Sequence, residues 1–158
     1  MSTVATDKTT TNASSAIDRS IPVWTVVERM LHMSRPITDD YSAATAVESG
    51  VPASAVNSLE KLIGIANRRL IIPDRTLARR EKEHQALTTE EGDRVLQSAR
   101  IVALAIAVFG SEHKANKWLF SPKKRFDGKT PMELAVRSSP GVTAVEQWLG
   151  QLDEGFFA

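Results

Sequence analysis

The segment that most restricts the fold is 88-TTEEGDRVLQSARIVALAIAVFG-110. Thr88, with Glu91 three residues on, has the form of a capping box, in which each side chain accepts the other's backbone N–H at a helix start. Gly110 suits the left-handed residue that closes many helices. One helix therefore fills the interval, and its second half, Ile101 to Phe109, is apolar without interruption. A helix that is apolar on every side needs neighbours on every side. The run is far shorter than the roughly 20 residues of a membrane-spanning helix. Other segments of the chain must supply those neighbours.

Helical signals recur along the chain. Val23, Val26, Val27, Met30 and Leu31 form one stripe, with Pro22 in the first turn and Pro36 beyond the end. A helix around 41–49 stops at Gly50, and 53–64 places Val56, Leu59, Leu62 and Ile63 on one face. A short piece over 65–71 leads to Asp74, a candidate cap for the helix RTLARREKE. Ser111 can cap EHKANKWLF, which Pro122 stops. Thr130-Pro131-Met132-Glu133 is a second capping box with proline at the first helical position. A last helix is expected over 141–152. With neither a strand alternation nor a repeat, the fold class is all-α.

Composition sets the remaining bounds. Of 158 residues, 42% are hydrophobic and 25% charged, as in a soluble globular protein. There is no cysteine, which excludes disulfides and cysteine-held metals and fits a reducing, cytoplasmic setting. Residues 1–20 are rich in Thr, Ser, Asn and Asp and are expected to form a disordered tail, not a secretory signal. His32, His84 and His113 are not at metal-ligand spacing, and no phosphate loop or nucleophile elbow occurs. We expect no catalytic residue, no metal and no cofactor.

Two clusters point to binding. Lys61, Arg68, Arg69, Arg75, Arg79, Arg80 and Lys82 outnumber Glu60, Asp74 and Glu81. Arg75, Arg79 and Lys82 share a helix face, and Thr76 and Arg80 share the adjacent one. Arginine forks suit phosphate oxygens and guanine edges, so a basic helix after a short connection reads as a DNA contact. A solvated face with internal ion pairs is the alternative. Beyond Arg137 the character reverses: Glu146, Asp153 and Glu154 accompany Trp148, Phe156 and Phe157. An amphipathic last helix packed on its own core accounts for part of Trp148. The two phenylalanines follow Gly155, where the chain can leave the helix, and are candidates for docking into a partner.

The order and spacing of RTLARR, WLFSPKKRFDGKTPMEL and PGVTAVEQWLGQLDEGFFA, with Leu87-Thr88, Glu91 and Phe109-Gly110, resemble the Xre/MbcA/ParS-type antitoxins that pair with RES-domain toxins. The resemblance covers about 50–158; Gly92 stands where serine is frequent, and Lys123-Lys124-Arg125-Phe126 is more basic than usual. It implies a helix-turn-helix domain over 21–87 and a toxin-binding domain over 88–158. It further implies a protein that is not an enzyme, that neutralises an NAD-consuming RES toxin by blocking its active site, and that represses its own operon. On that reading Arg68, Arg69, Arg75, Thr76, Arg79, Arg80 and Lys82 contact operator DNA. Lys123, Lys124, Arg125, Trp148, Gln151, Asp153, Glu154, Phe156, Phe157 and Ala158 contact the toxin. Partners are the RES toxin, operator DNA and further copies in a homodimer or larger assembly, with no membrane. The alternative is a transcription or DNA-segregation factor whose C-terminal domain only oligomerises.

Overall fold

The computed structural model describes residues 19–157, with side chains to Asp153. Every regular element among them is helical: α1 (Val23–Leu31), α2 (Asp40–Ser49), α3 (Ala53–Ile63), α4 (Ile65–Ile71), α5 (Asp74–Lys82), α6 (Thr89–Phe109), α7 (Glu112–Leu119), α8 (Pro131–Arg137) and α9 (Ser139–Phe157). A 3-10 turn, Lys124–Phe126, lies between α7 and α8. The all-α expectation holds. Most of the segment read as a tail, 1–18, lies outside the described residues.

The long helix α6 is the axle. It packs against α1, α2, α7, α8 and α9. Val95, Leu96, Ile101, Val102 and Ile106 are buried along it. Each such side chain taken from water stabilises the fold by about 1.5–3 kcal/mol. The apolar run is thus the centre of a helical core. No single helix among the described residues is long and apolar enough to cross a membrane. Buried residues on both sides of position 88 form one hydrophobic cluster, so α6 carries the packing of the N-terminal as well as the C-terminal helices.

Side-chain caps start α6, α7 and α8 where the sequence predicts them. Thr88 Oγ1 accepts from Glu91 N–H at 3.2 Å and Glu91 Oε1 accepts from Thr88 N–H at 2.9 Å. Thr130 and Glu133 repeat the exchange at 3.0 and 3.4 Å, and Ser111 Oγ accepts from Lys114 N–H at 3.1 Å. Each cap is worth about 1 kcal/mol. Leu119 is fully buried against α6, while Trp118 is only half-buried on Phe109.

Three local expectations need correction. A capping box at Asp39 and Ser42 starts α2, where the sequence reading had none. Asp74 does not cap α5: Pro73 holds the cap position, and the Asp74 carboxylate turns to Arg68 and Arg69. The last helix is longer than 141–152, and its backbone stays helical through Gly155 to Phe157. It starts hard against α8, for a Cβ on Gly141 would sit 2.0 Å from the Leu134 carbonyl oxygen.

The turn between α2 and α3 is the other tightly built point. Gly50 has φ +98°, and a Cβ there would lie 2.8 Å from Ala86 Cβ. Val51 accepts the Leu87 N–H at 2.8 Å, and a Cβ on Gly92 would meet Val51 Cγ2 at 2.9 Å. The α5–α6 joint is therefore seated on the α2–α3 turn.

Candidate functional site

The C-terminal cluster is built where α7, the 123–129 loop and α9 meet. Pro122 ends the α7 segment, and the loop closes on itself through Lys123 N–H to Lys129 O (3.0 Å) and Gly128 N–H to Lys123 O (2.9 Å). Four rings run through it: Phe109 to Trp118 (centroids 5.5 Å), Trp118 to Trp148 (5.1 Å) and Trp148 to Phe126 (4.9 Å), the last two edge to face. Lys123 Nζ stands 5.4 Å from the Trp118 ring centre, and the Arg125 guanidinium 4.8 Å from that of Trp148. Arg125 also donates to Gln151 Oε1 at 3.1 Å. Burial pushes the Lys123 ammonium below its usual pKa. A cation over a ring is attracted by its negative face, by about 0.5–1 kcal/mol where exposed.

The structure therefore brings together Lys123, Arg125, Trp148 and Gln151, with exposed Lys124 beside them. It also adds Trp118 and Phe126, which sequence reading did not place here. Their signal was present as a tryptophan one helix away and a phenylalanine inside the basic loop. Asp153 is elsewhere: it pairs with Arg19 at 2.8 Å, at the rim of an apolar groove of about 400 Å³ between α1, α6 and α9. The side chains of Glu154, Phe156 and Phe157, and all of Ala158, lie outside the described residues.

The N-terminal cluster divides differently from the sequence reading. Arg68 is not a surface group. It is 3% exposed and bonds Glu60 (2.7 Å), the Ile72 carbonyl (2.7 Å) and Asp74 (2.6 Å). Desolvation would lower its pKa, but Glu60 and Asp74 outweigh burial and raise it. Arg80 bonds Glu91 at 3.0 Å and Gln85 at 3.1 Å, with both ion-pair side chains 14% exposed. Arg68 and Arg80 are scaffold groups because neighbouring helices supply carboxylates that a linear cluster count cannot place. Arg69 shares Asp74 at 2.8 Å, and Thr76 is half-buried. Arg75, Arg79 and Lys82 are exposed, with no ion pair among the described residues.

A second exposed stripe lies on α3. Ser54, Asn57 and Lys61 project from one face, while Ala55, Val56 and Leu59 are buried on the other. Asn57 Nδ2 donates to Glu81 Oε1 of α5 at 2.8 Å, which sets the two helices side by side. α2 and α3 are joined by only Gly50, Val51 and Pro52. The α4–α5 connection is Ile72 and Pro73, with no glycine.

Comparison with known proteins bears on both clusters. A family model for the antitoxin Xre/MbcA/ParS C-terminal toxin-binding domain matches residues 104–155, which include the whole aromatic and basic cluster. An antitoxin Xre of Pseudomonas putida is 39% identical over 122 residues, 76% of this chain and 76% of its own length. An antitoxin Xre of Yersinia enterocolitica is 25% identical over 118 residues, 72% of this chain and 79% of its own. Likeness at that level extends well beyond the toxin-binding segment, and the chain belongs to the Xre/MbcA/ParS antitoxin family.

Proposed function

We propose that this antitoxin holds a RES-domain, NAD-consuming toxin, encoded beside it, inactive through its C-terminal helices, and that its N-terminal helices bind operator DNA to repress the shared operon. The observation that carries the first half is the toxin-binding family match over 104–155, which coincides with the half-exposed rings of the α7–α9 face and its cations, which have no ion pair among the described residues. The blocking element is the end of α9. Its backbone is helical to Phe157, so it enters the toxin's NAD pocket as a helix end, not as a turned strand. Asp153 is engaged by Arg19, which leaves the blocking role to 154–158, with Phe156 and Phe157 as apolar anchors. The complex is an assembly of antitoxin copies and toxin. Deletion of Glu154–Ala158 tests this: the truncated protein should fold and bind the toxin yet leave its NAD consumption largely intact. Full inhibition by the truncated chain would refute the blocking role.

For DNA, the geometry favours a different reader from the one that sequence suggested. Two helices joined by a three-residue turn with a glycine, the second exposing a polar stripe, are the parts of a helix-turn-helix. On this reading α3 enters the major groove with Ser54, Asn57 and Lys61, and Arg75, Arg79 and Lys82 of α5 meet phosphates. An Asn57→Ala change should cost about 1–3 kcal/mol on the operator and relax specificity. Loss of Arg75 and Arg79 should weaken binding to every sequence and lower the salt slope by about 1 per contact. If Asn57→Ala leaves operator preference unchanged, α3 is not the reader.

A further inference from the structure

Between Glu112 and Lys129 the chain carries six cations, Lys114, Lys117, Lys123, Lys124, Arg125 and Lys129, against two carboxylates, Glu112 and Asp127. None of the six has an ion pair among the described residues. Elsewhere three arginines that pack against the fold have carboxylates: Arg68 has Glu60 and Asp74, Arg80 has Glu91, Arg100 has Glu146, while Arg94 donates instead to the Ile71 carbonyl. Lys123 is half-buried and over a ring, with its pKa lowered by burial alone, no carboxylate offsetting the cost. The 3-10 turn and the interlocked Trp118, Trp148 and Phe126 rings hold Lys123 and Arg125 in place.

We infer that the α7–loop–α9 face is the affinity anchor for the toxin, and that it docks on a toxin patch with an apolar centre rimmed by carboxylates. The inference rests on the antitoxin reading and divides labour within it: this face binds, and the end of α9 inhibits. Trp and Arg are the residue types that dominate interface energetics when they sit at the centre of a patch. A rim of carboxylates would meet cations that have no ion pair among the described residues and would speed encounter. A nucleic acid fits the same charge less well. Single-stranded binders stack bases on open ring faces, whereas here Trp118 and Trp148 pack edge to face on one another beneath Lys123 and Arg125.

The test uses the full-length chain and the purified RES-domain protein encoded beside it. Affinity is measured by calorimetry at low and high salt for the wild type, for K123E/R125E and for K123Q/R125Q, with melting temperatures taken alongside. We expect the charge reversal to weaken binding at least about 100-fold at low salt, since like charges facing one another across an interface are strongly unfavourable. The neutral pair should lie between, and the salt dependence of the wild type should flatten in both. Toxin affinity of a folded K123E/R125E within threefold of wild type would overturn the anchor while leaving the antitoxin reading intact. So would a loss of DNA affinity with toxin affinity unchanged, which would assign the face to nucleic acid. Failure of the wild type to bind at all would overturn the antitoxin reading and this inference with it.

Discussion

Removing Arg68 tests whether this arginine belongs to the scaffold or to a DNA surface. Its side chain is 4% exposed and bridges Glu60 of α3 and Asp74 of α5, from its own place in α4. A third bond reaches the carbonyl of Ile72, a fully buried residue. In Arg68→Ala the carboxylates of Glu60 and Asp74, 29% and 53% exposed, can return to water, so their loss is small. The Ile72 carbonyl has less recourse, and an unsatisfied buried acceptor costs about 1–3 kcal/mol. The aliphatic stem also leaves a void, as arginines lost from packed sites do. Together these give about 3 kcal/mol of destabilisation, within the range for breaking a buried charge network. Arg68→Met, which keeps the stem, should recover part of it. Arg75→Ala, fully on the surface, should stay within about 0.5 kcal/mol. Urea unfolding of the three variants measures these values, and operator binding of the folded fraction is measured in parallel. A stable Arg68→Ala protein with a specific loss of DNA affinity would refute the scaffold role and restore the surface one.

Two further perturbations follow from the packing and the charges. Gly141→Ala forces a Cβ into the Leu134 carbonyl oxygen and should cost about 1–3 kcal/mol or more, whereas Gly150→Ala meets nothing within 4 Å and should stabilise by about 0.5–1 kcal/mol; thermal melts of the pair check both signs. Burial pushes the Glu91 carboxyl up, but Arg80 and the Thr88 bonds outweigh it and hold its pKa below 4.5. Its contribution is then present above the unfolded value and lost as pH falls through the folded one. Glu91→Gln should cost about 1.5–3 kcal/mol at pH 7, and the gap from wild type should shrink as acidification protonates the Glu91 carboxylate; a gap that does not change with pH would contradict the ion pair.

Much of the fold was legible because helix ends are local chemistry. Thr88 with Glu91, Thr130 with Glu133, and Ser111 each announce a start within four residues, and the apolar run of α6 announces burial. What failed was decided between helices. Nothing near Arg68 in the chain says that Glu60 and Asp74 converge on it, so a charge count placed a buried hub on the surface. The same holds for Arg80, whose partner Glu91 begins the next helix. Asp74 looked like a cap because its type suits one, but two arginines compete for the same carboxylate. Gly155 suggested a break, yet glycine only weakens a helix and does not by itself end one. The aromatic cluster was half visible: Trp148 was read as a toxin contact, and the structure joins it with Trp118 in one half-exposed ladder. Of the α3 stripe only Lys61 was singled out, because Ser54 and Asn57 carry no charge.

The most direct test of the account is a titration of NAD consumption. A purified RES-domain toxin, the partner proposed above, is assayed with increasing antitoxin and, in parallel, with the chain lacking Glu154–Ala158. Our account predicts that the full-length protein abolishes activity at a fixed molar ratio, while the truncated chain binds the toxin and leaves NAD turnover running. Undiminished turnover with saturating full-length protein would contradict it.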